Sequence, residues 1–237
     1  MSTTHEYFER TATDFAANYA TNRSFVERRN VFERLIEDSL FTLGDGSVCV
    51  DVGCGDGSLS RAVAVRGHRV IGIDQSNAML SLAREAACGV RVESVTEYVQ
   101  ASIPLPQVLM SRLSGRVGLL ICSSVLEYVD DYPAALVQFG RLLKAHGRLI
   151  VSVPNADALY RMGERLFRRL HWRDSYLRYQ RHQFRAGAFK AELGRARYSI
   201  VADEYFALPF HGVTARCVGG RRSRRLATLY AVVAEAR

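Results

Sequence analysis

Several features that would quickly classify this chain are missing from it. No run is apolar for long enough to cross a bilayer. The opening residues, Met-Ser-Thr-Thr-His-Glu, lack the basic, apolar and small-residue blocks of a secretory leader. A soluble cytoplasmic protein is therefore expected. Five cysteines, at 49, 54, 88, 122 and 217, are odd in number and show no paired metal-ligand spacing. Cys49 and Cys122 lie in apolar runs and read as small reduced hydrophobes. No separate nucleic-acid-binding module is appended, although the net charge is +8. The excess is local. Residues 161–185 carry a charge of +6 and residues 216–225 a further +5 with no acid, which leaves the body of the chain slightly acidic.

What is present centres on residues 48–58, Val-Cys-Val-Asp-Val-Gly-Cys-Gly-Asp-Gly-Ser. Val48, Val50 and Val52 alternate as in a buried strand, and three glycines follow at 53, 55 and 57. Leu59, Ala62, Val63 and Ala64 then fall at helical spacing until Gly67. Strand, glycine turn and helix form the first half of a nucleotide-binding βαβ unit. Glycine is needed because a Cβ would block the tight turn and hold a ligand off the backbone. The next strand, residues 68–74, closes on Asp74, 21 residues after Gly53, where a carboxylate can accept both hydroxyls of a ribose. A dinucleotide fingerprint, G-x-G-x-x-G, requires glycine at position 58; this chain has Ser58, with Gly57 one step early. The register disfavours an NAD-linked oxidoreductase.

The remaining pattern alternates strands and helices. Residues 5–42 read as helical, with one stripe at Phe8, Ala12, Phe15 and Tyr19 and another at Val26, Val31, Phe32, Leu35 and Ile36. Ser76 caps a helix over 77–87, and Val90, Val92 and Val95 suggest a third strand. Residues 100–114, with Pro104 and Pro106, predict an irregular helix or loop. Val117–Ser123 is apolar as in a sheet covered on both faces. Asp131 caps a helix that Gly147 ends, and Arg148–Val153 forms the fifth strand. Two more strand-like runs cover 198–208 and 227–236. The fold class is α/β, with a parallel sheet. Hydrophobic residues make up 48% of the 237, enough for the core of one such domain.

The chain resembles the class I S-adenosylmethionine (SAM)-dependent methyltransferases in four motifs. These are Val-Asp-Val-Gly-Cys-Gly-Asp-Gly at 50–57, Ile-Gly-Ile-Asp-Gln-Ser at 71–76, Leu-Leu-Ile-Cys-Ser-Ser-Val-Leu-Glu-Tyr-Val at 119–129, and residues 142–155 ending in Ser-Val-Pro-Asn. Within that class it resembles ubiquinone-biosynthesis-type O-methyltransferases and related small-molecule enzymes. The resemblance implies a Rossmann-like sheet of seven strands, mostly parallel with the last antiparallel, and helices on both faces. It divides the chain into a helical lid (1–45), a SAM-binding core (46–155), a substrate-covering helical insertion (156–190) and a closing helix with two strands (191–237). SAM is the implied cofactor, with contacts at Asp51, Gly53, Cys54, Gly55, Asp74, Gln75, Cys122 and Ser123. From the lid, the resemblance places an aromatic and an arginine against the SAM carboxylate; Tyr19 and Arg29 are nearest by position. Core packing for Tyr19 and solvent for Arg29 stand as the alternatives. For the adenine amino group the family uses an acid or amide, where this chain offers Thr96.

The acceptor is less clearly specified. The fourth strand ends in Cys122-Ser123-Ser124 and lacks the Asn/Asp-Pro-Pro-Tyr/Phe motif of nucleic-acid and protein amide N-methyltransferases. A small-molecule oxygen acceptor is expected, and no nucleic acid. The relatives carry Glu-x-x-Glu-His after this strand, associated with a divalent metal; only Glu127 survives of it, so no metal is expected and Glu127 reads as a surface capping or pairing residue. His182 is the first choice as general base because imidazole titrates near neutrality, followed by Tyr128 and His171 and then His211. In 156–172, Leu159, Met162, Leu166, Phe167 and Leu170 form an apolar stripe with arginines mostly opposite. It fits a pocket lid, or an interfacial helix on anionic lipid. The arginines can also steer an acidic or carrier-bound acceptor. Two alternatives are an RNA methyltransferase using those arginines and a non-catalytic binding module of the same fold.

Overall fold

The computed structural model describes residues 3–43, 47–88, 96–159, 176–208 and 224–237. Seven strands form one sheet: β1 (Val48–Val52), β2 (Val70–Asp74), β3 (Thr96–Gln100), β4 (Val117–Ser123), β5 (Leu143–Pro154), β6 (Tyr198–Phe206) and β7 (Leu229–Ala236). Their order is β3-β2-β1-β4-β5-β7-β6. The pairs among β1 to β5 are parallel, and β7 runs antiparallel to both β5 and β6. The chain goes outward from β1 to β3, then returns to β4 on the other side of β1. This reversal opens a crevice above the carboxyl ends of β1 and β4, where ligands of such sheets sit.

Residue alternation along the strands sorts the core into two layers. On one face, Leu120 and Cys122 of β4 and Leu149 and Val151 of β5 pack against α6 (Gln107–Leu113), α7 (Tyr132–Leu142) and α8 (Ala186–Arg195). On the other, Leu119, Ile121 and Ile150 meet Phe32, Leu35 and Ile36 of α3 (Arg23–Leu40) and Leu59 and Val63 of α4 (Ser58–Ala64). Helix α5 (Asn77–Cys88) connects β2 to β3.

Two local expectations change, and two others fall largely outside the described residues. The amino-terminal helical region is three helices, α1 (Thr4–Arg10), α2 (Ala12–Thr21) and α3. Polar side chains mark its breaks: Thr11 Oγ1 donates to the Tyr7 carbonyl, and the Asn22 side chain accepts from Ser24 N and caps α3. The third strand is Thr96–Gln100; Val90, Val92 and Val95 lie outside the described residues. The helix of 132–142 stops before Gly147, because Leu143 is already extended and begins β5. Finally, Leu159 is exposed, and the rest of the 156–172 stripe lies outside the described residues, as do His171 and His211.

Candidate functional site

At the end of β1 the chain turns through Gly53 (φ +72°) and Gly55 (φ +54°), conformations that L side chains rarely adopt. The two glycines differ in what surrounds them. A Cβ on Gly53 would lie 2.2 Å from Val125 Cγ2, whereas a Cβ on Gly55 would meet nothing within 4 Å and point into open space. Gly53 N and Cys54 N both donate to the Ile73 carbonyl, at 2.7 and 3.1 Å, tying the turn to the end of β2. Asp74 completes the tie. Its Oδ2 accepts from Gly55 N and its Oδ1 from Ser76 N, each at 2.9 Å. Burial raises the Asp74 pKa, and the backbone donors at Ser76, Gly55 and Gln75 oppose that rise. Asp51 lies below the turn, 1% exposed, with Oδ2 accepting from Ser60 Oγ at 2.7 Å. Burial pushes its pKa up to about 7, against the Ser60 bond, and the nearby Asp74 and Asp56 carboxylates add to the rise.

Above this floor is a cavity of about 600 Å³. Gly53, Cys54, Gly55, Asp74 and Gln75 form its base, and Ser123 and Ser124 at the end of β4 form one side. The three amino-terminal helices roof it with Phe8, Phe15, Phe25 and Arg28. These rings pack edge to face, Phe8 on Phe15 at 5.4 Å and Phe15 on Phe25 at 5.3 Å, and Phe8 reaches Tyr128 at 5.6 Å. The Arg28 guanidinium stands 5.0 Å from the Phe25 ring, and its buried Nε has no hydrogen-bond partner among the described residues. Glu9 secures the roof, its Oε1 accepting from Ala78 N at the start of α5 at 3.2 Å. The opposite wall is the 3-10 turn Leu126–Tyr128 with Gln180 and Arg181.

A family model described as "Methyltransferase domain" matches residues 24–202, three quarters of the chain. The chain belongs to the methyltransferase domain family. That family draws its methyl group from S-adenosylmethionine. Among curated proteins the chain is 33% identical over 114 residues to the ubiquinone biosynthesis O-methyltransferase of Azotobacter vinelandii, covering 47% of this chain and 46% of that protein. It is 36% identical over 113 residues to the protein of that name from Alkalilimnicola ehrlichii, covering 48% and 44%. The chain thus spans about half the length of the curated relatives it matches. Its fold is similar over 98% of both chains to the magnesium protoporphyrin IX methyltransferase of Synechocystis PCC 6803, solved with bound SAH, at a TM-score of 0.73 and 20% identity.

The cavity gathers some of the expected residues and not others. Gly53, Cys54, Gly55, Asp74, Gln75, Ser123 and Tyr128 line the cavity. Asp51 and Cys122 do not; they are buried behind it, at 1% and 0% exposure. Tyr19 lies in α2, and its side chain is outside the described residues. Arg29 faces away from the cavity and pairs with Glu33 at 3.8 Å; the arginine that faces the cavity is Arg28. One residue on a helix is 100° of rotation, and the sequence stripe did not fix that phase. Thr96 begins β3 opposite Val70, at the strand end remote from Asp74, and is not on the cavity. Ala101, Ser102 and Ile103, beyond the other end of β3, line it instead. Counting from the strand's carboxyl end would have found them.

His182 is not brought to the cavity. Its Nε2 donates to the Val129 carbonyl at 2.8 Å and lies 3.3 Å from the Asp130 carbonyl, and its ring packs on Tyr132 at 5.1 Å. Glu127 is not a surface residue. It is 2% exposed and on the cavity wall, and its carbonyl accepts from Arg181 N and His182 N at 2.7 and 3.2 Å. Among the described residues no three His, Cys, Asp or Glu side chains cluster as a metal site would require, and no helix is long and apolar enough to cross a membrane.

Proposed function

We propose that this chain transfers a methyl group from SAM to an oxygen of a small-molecule acceptor held in the same cavity. The single observation that carries the reading is the Gly55–Asp74 pairing at the floor of a roofed cavity. An open backbone position and an adjacent carboxylate stand together at the topological switch of the sheet, as a nucleoside ligand needs. When bound there, SAM supplies a methyl group already activated by its sulfonium. Asp74 would hold ribose hydroxyls with the lone pairs its two backbone donors leave available. Gly53 and Gly55 would let the ligand approach the backbone. Arg28 has the charge and the buried, unused Nε to take a carboxylate, the role the resemblance assigned to Arg29. Phe8, Phe15 and Phe25 exclude water from above, and Tyr128 with Phe8 supplies an apolar slot beyond Ser124. Orientation of the acceptor in such a slot can account for much of the rate.

An oxygen acceptor draws support from the ubiquinone biosynthesis O-methyltransferases that the chain matches over about half their length. An acidic or carrier-bound acceptor draws little. At the cavity Arg181 is paired with Asp130, and Arg161, Arg165, Arg168 and Arg169 lie outside the described residues. Calorimetry with SAM, followed by a tritiated-methyl screen over candidate metabolites, tests the reading. The wild-type protein should bind SAM, and Asp74→Ala should bind it at least ~100-fold more weakly, because two charge-assisted bonds are lost. Equal binding by the two proteins would sink it.

A further inference from the structure

The wall opposite the cofactor floor has a side chain that the reading above does not use. Gln180 lines the cavity, and its Oε1 is buried with no hydrogen-bond partner among the described residues. Its chain neighbours on both sides are anchored. Tyr179 packs on Tyr7 of the roof at 5.1 Å, Arg181 N and His182 N donate to the Glu127 carbonyl, and His182 Nε2 holds the Val129 carbonyl. The backbone at 180 is therefore fixed by its neighbours, and Gln180 Oε1 takes no part in that fixing. A buried amide oxygen left unpaired is costly, and such a group in a cavity wall marks the place of a ligand donor. Ser123 Oγ is also buried without a partner among the described residues, but it stands at the end of β4 beside the glycine floor. Gln180 shares its wall with Tyr128, because the Arg181 N to Glu127 carbonyl bond joins the two segments, and the Tyr128 ring meets Phe8 edge to face at 5.6 Å, so a polar group adjoins an aromatic surface on which a flat ring can pack.

We infer that Gln180 is the specificity-determining residue for the methyl acceptor, accepting a hydrogen bond from a neutral O–H or N–H on the edge of a flat ring held against Tyr128 and Phe8. This rests on the proposed methyl-transfer reading for the identity of the site. The basis of selection is the lone amide oxygen: an acceptor with a carboxylate or ether at that edge offers it no donor and leaves it unpaired.

The test compares two near-isosteric probes, phenol and toluene, which differ by one hydroxyl replaced with a methyl. Their binding to the protein saturated with S-adenosylhomocysteine is measured by calorimetry, with benzoate as an anionic third probe. The wild-type protein should prefer phenol by about tenfold, and Gln180→Leu should reduce that preference to about one while binding S-adenosylhomocysteine as before. Gln180→Met provides the same comparison should the leucine variant not fold. The proposal is overturned if the wild type does not distinguish phenol from toluene, if a folded variant keeps the preference, or if benzoate binds better than both. Failure to bind S-adenosylhomocysteine would instead overturn the underlying reading, so the two failures are separable.

Discussion

The floor and the roof of the cavity are built on different physical grounds. The floor is backbone geometry: two positive-φ glycines, the Ile73 carbonyl receiving two amides, and a carboxylate locked by two more. The roof is side-chain packing: aromatic rings in edge-to-face contact and a guanidinium over a phenyl ring. A floor of that kind tolerates almost no substitution, because hydrogen bonds and dihedral angles fix each atom. A roof of packed rings can exchange one apolar side chain for another at modest cost. The floor therefore suits a ligand held in one fixed pose, and packed rings suit apolar surfaces of more than one shape.

The two glycines offer the strongest way to test that contrast. Gly53→Ala combines a left-handed backbone with a Cβ placed 2.2 Å from Val125 Cγ2, and should destabilise the protein by about 3–5 kcal/mol. Gly55→Ala keeps the backbone penalty of about 1–2 kcal/mol but meets no atom. Its methyl enters the cavity, so SAM affinity should fall by much more than stability does. Urea unfolding and calorimetry on the two variants separate the effects. Unchanged SAM affinity in Gly55→Ala would show that the space above Gly55 is not a ligand site.

Asp51 gives the next largest effect, one confined to the floor. Its folded pKa is about 7, raised by burial from an ordinary 3.8. Between those values the folded state holds a proton that the unfolded chain releases. The stability linked to Asp51 is thus fully present below about pH 4 and is lost as pH rises through 7. The shift corresponds to a loss on the order of 3–4 kcal/mol across that window. Asp51→Asn retains an acceptor for Ser60 Oγ and should show a flatter stability profile between pH 4 and 7. Denaturant titrations of both proteins at several pH values measure the difference; parallel profiles would refute it.

Legibility from sequence divides along the same line. The β1 turn, Asp74 and the strand β4 could be read because glycine spacing and strand-end carboxylates are statements about backbone, and the backbone repeats with fixed period. Thr96 is expected at the adenine but stands at the start of β3, and it is the strand's far end, followed by Ala101, Ser102 and Ile103, that reaches the cavity. Glu127 was read as a surface residue because nothing local shows that the 3-10 turn after β4 faces inward and is covered by residues 180–182 from the far side of β5. His182 carries the right chemistry for a base, yet the Val129 carbonyl that engages it is 53 residues away in sequence. Long-range partners leave no periodic trace.

The roof's most specific claim rests on a single residue of helical phase, and it carries the smallest expected effect. Arg28 and Arg29 are adjacent in sequence and identical in type, so composition and charge cannot distinguish them. In the fold Arg28 points at the cavity beside Phe25, while Arg29 reaches one turn along α3 to Glu33. Arg28→Met keeps the stem that covers the rings and removes the charge. It should weaken SAM binding by about 2 kcal/mol, roughly thirtyfold, the value of one charge-assisted bond. Arg29→Met breaks only a half-exposed pair of the i, i+4 kind, worth about 0.3–0.5 kcal/mol, and should leave SAM binding unchanged. Calorimetry on both variants decides. If Arg29→Met weakens binding and Arg28→Met does not, then α3 turns a different face to the cavity when ligand is present, and the roof, unlike the floor, rearranges around what it covers.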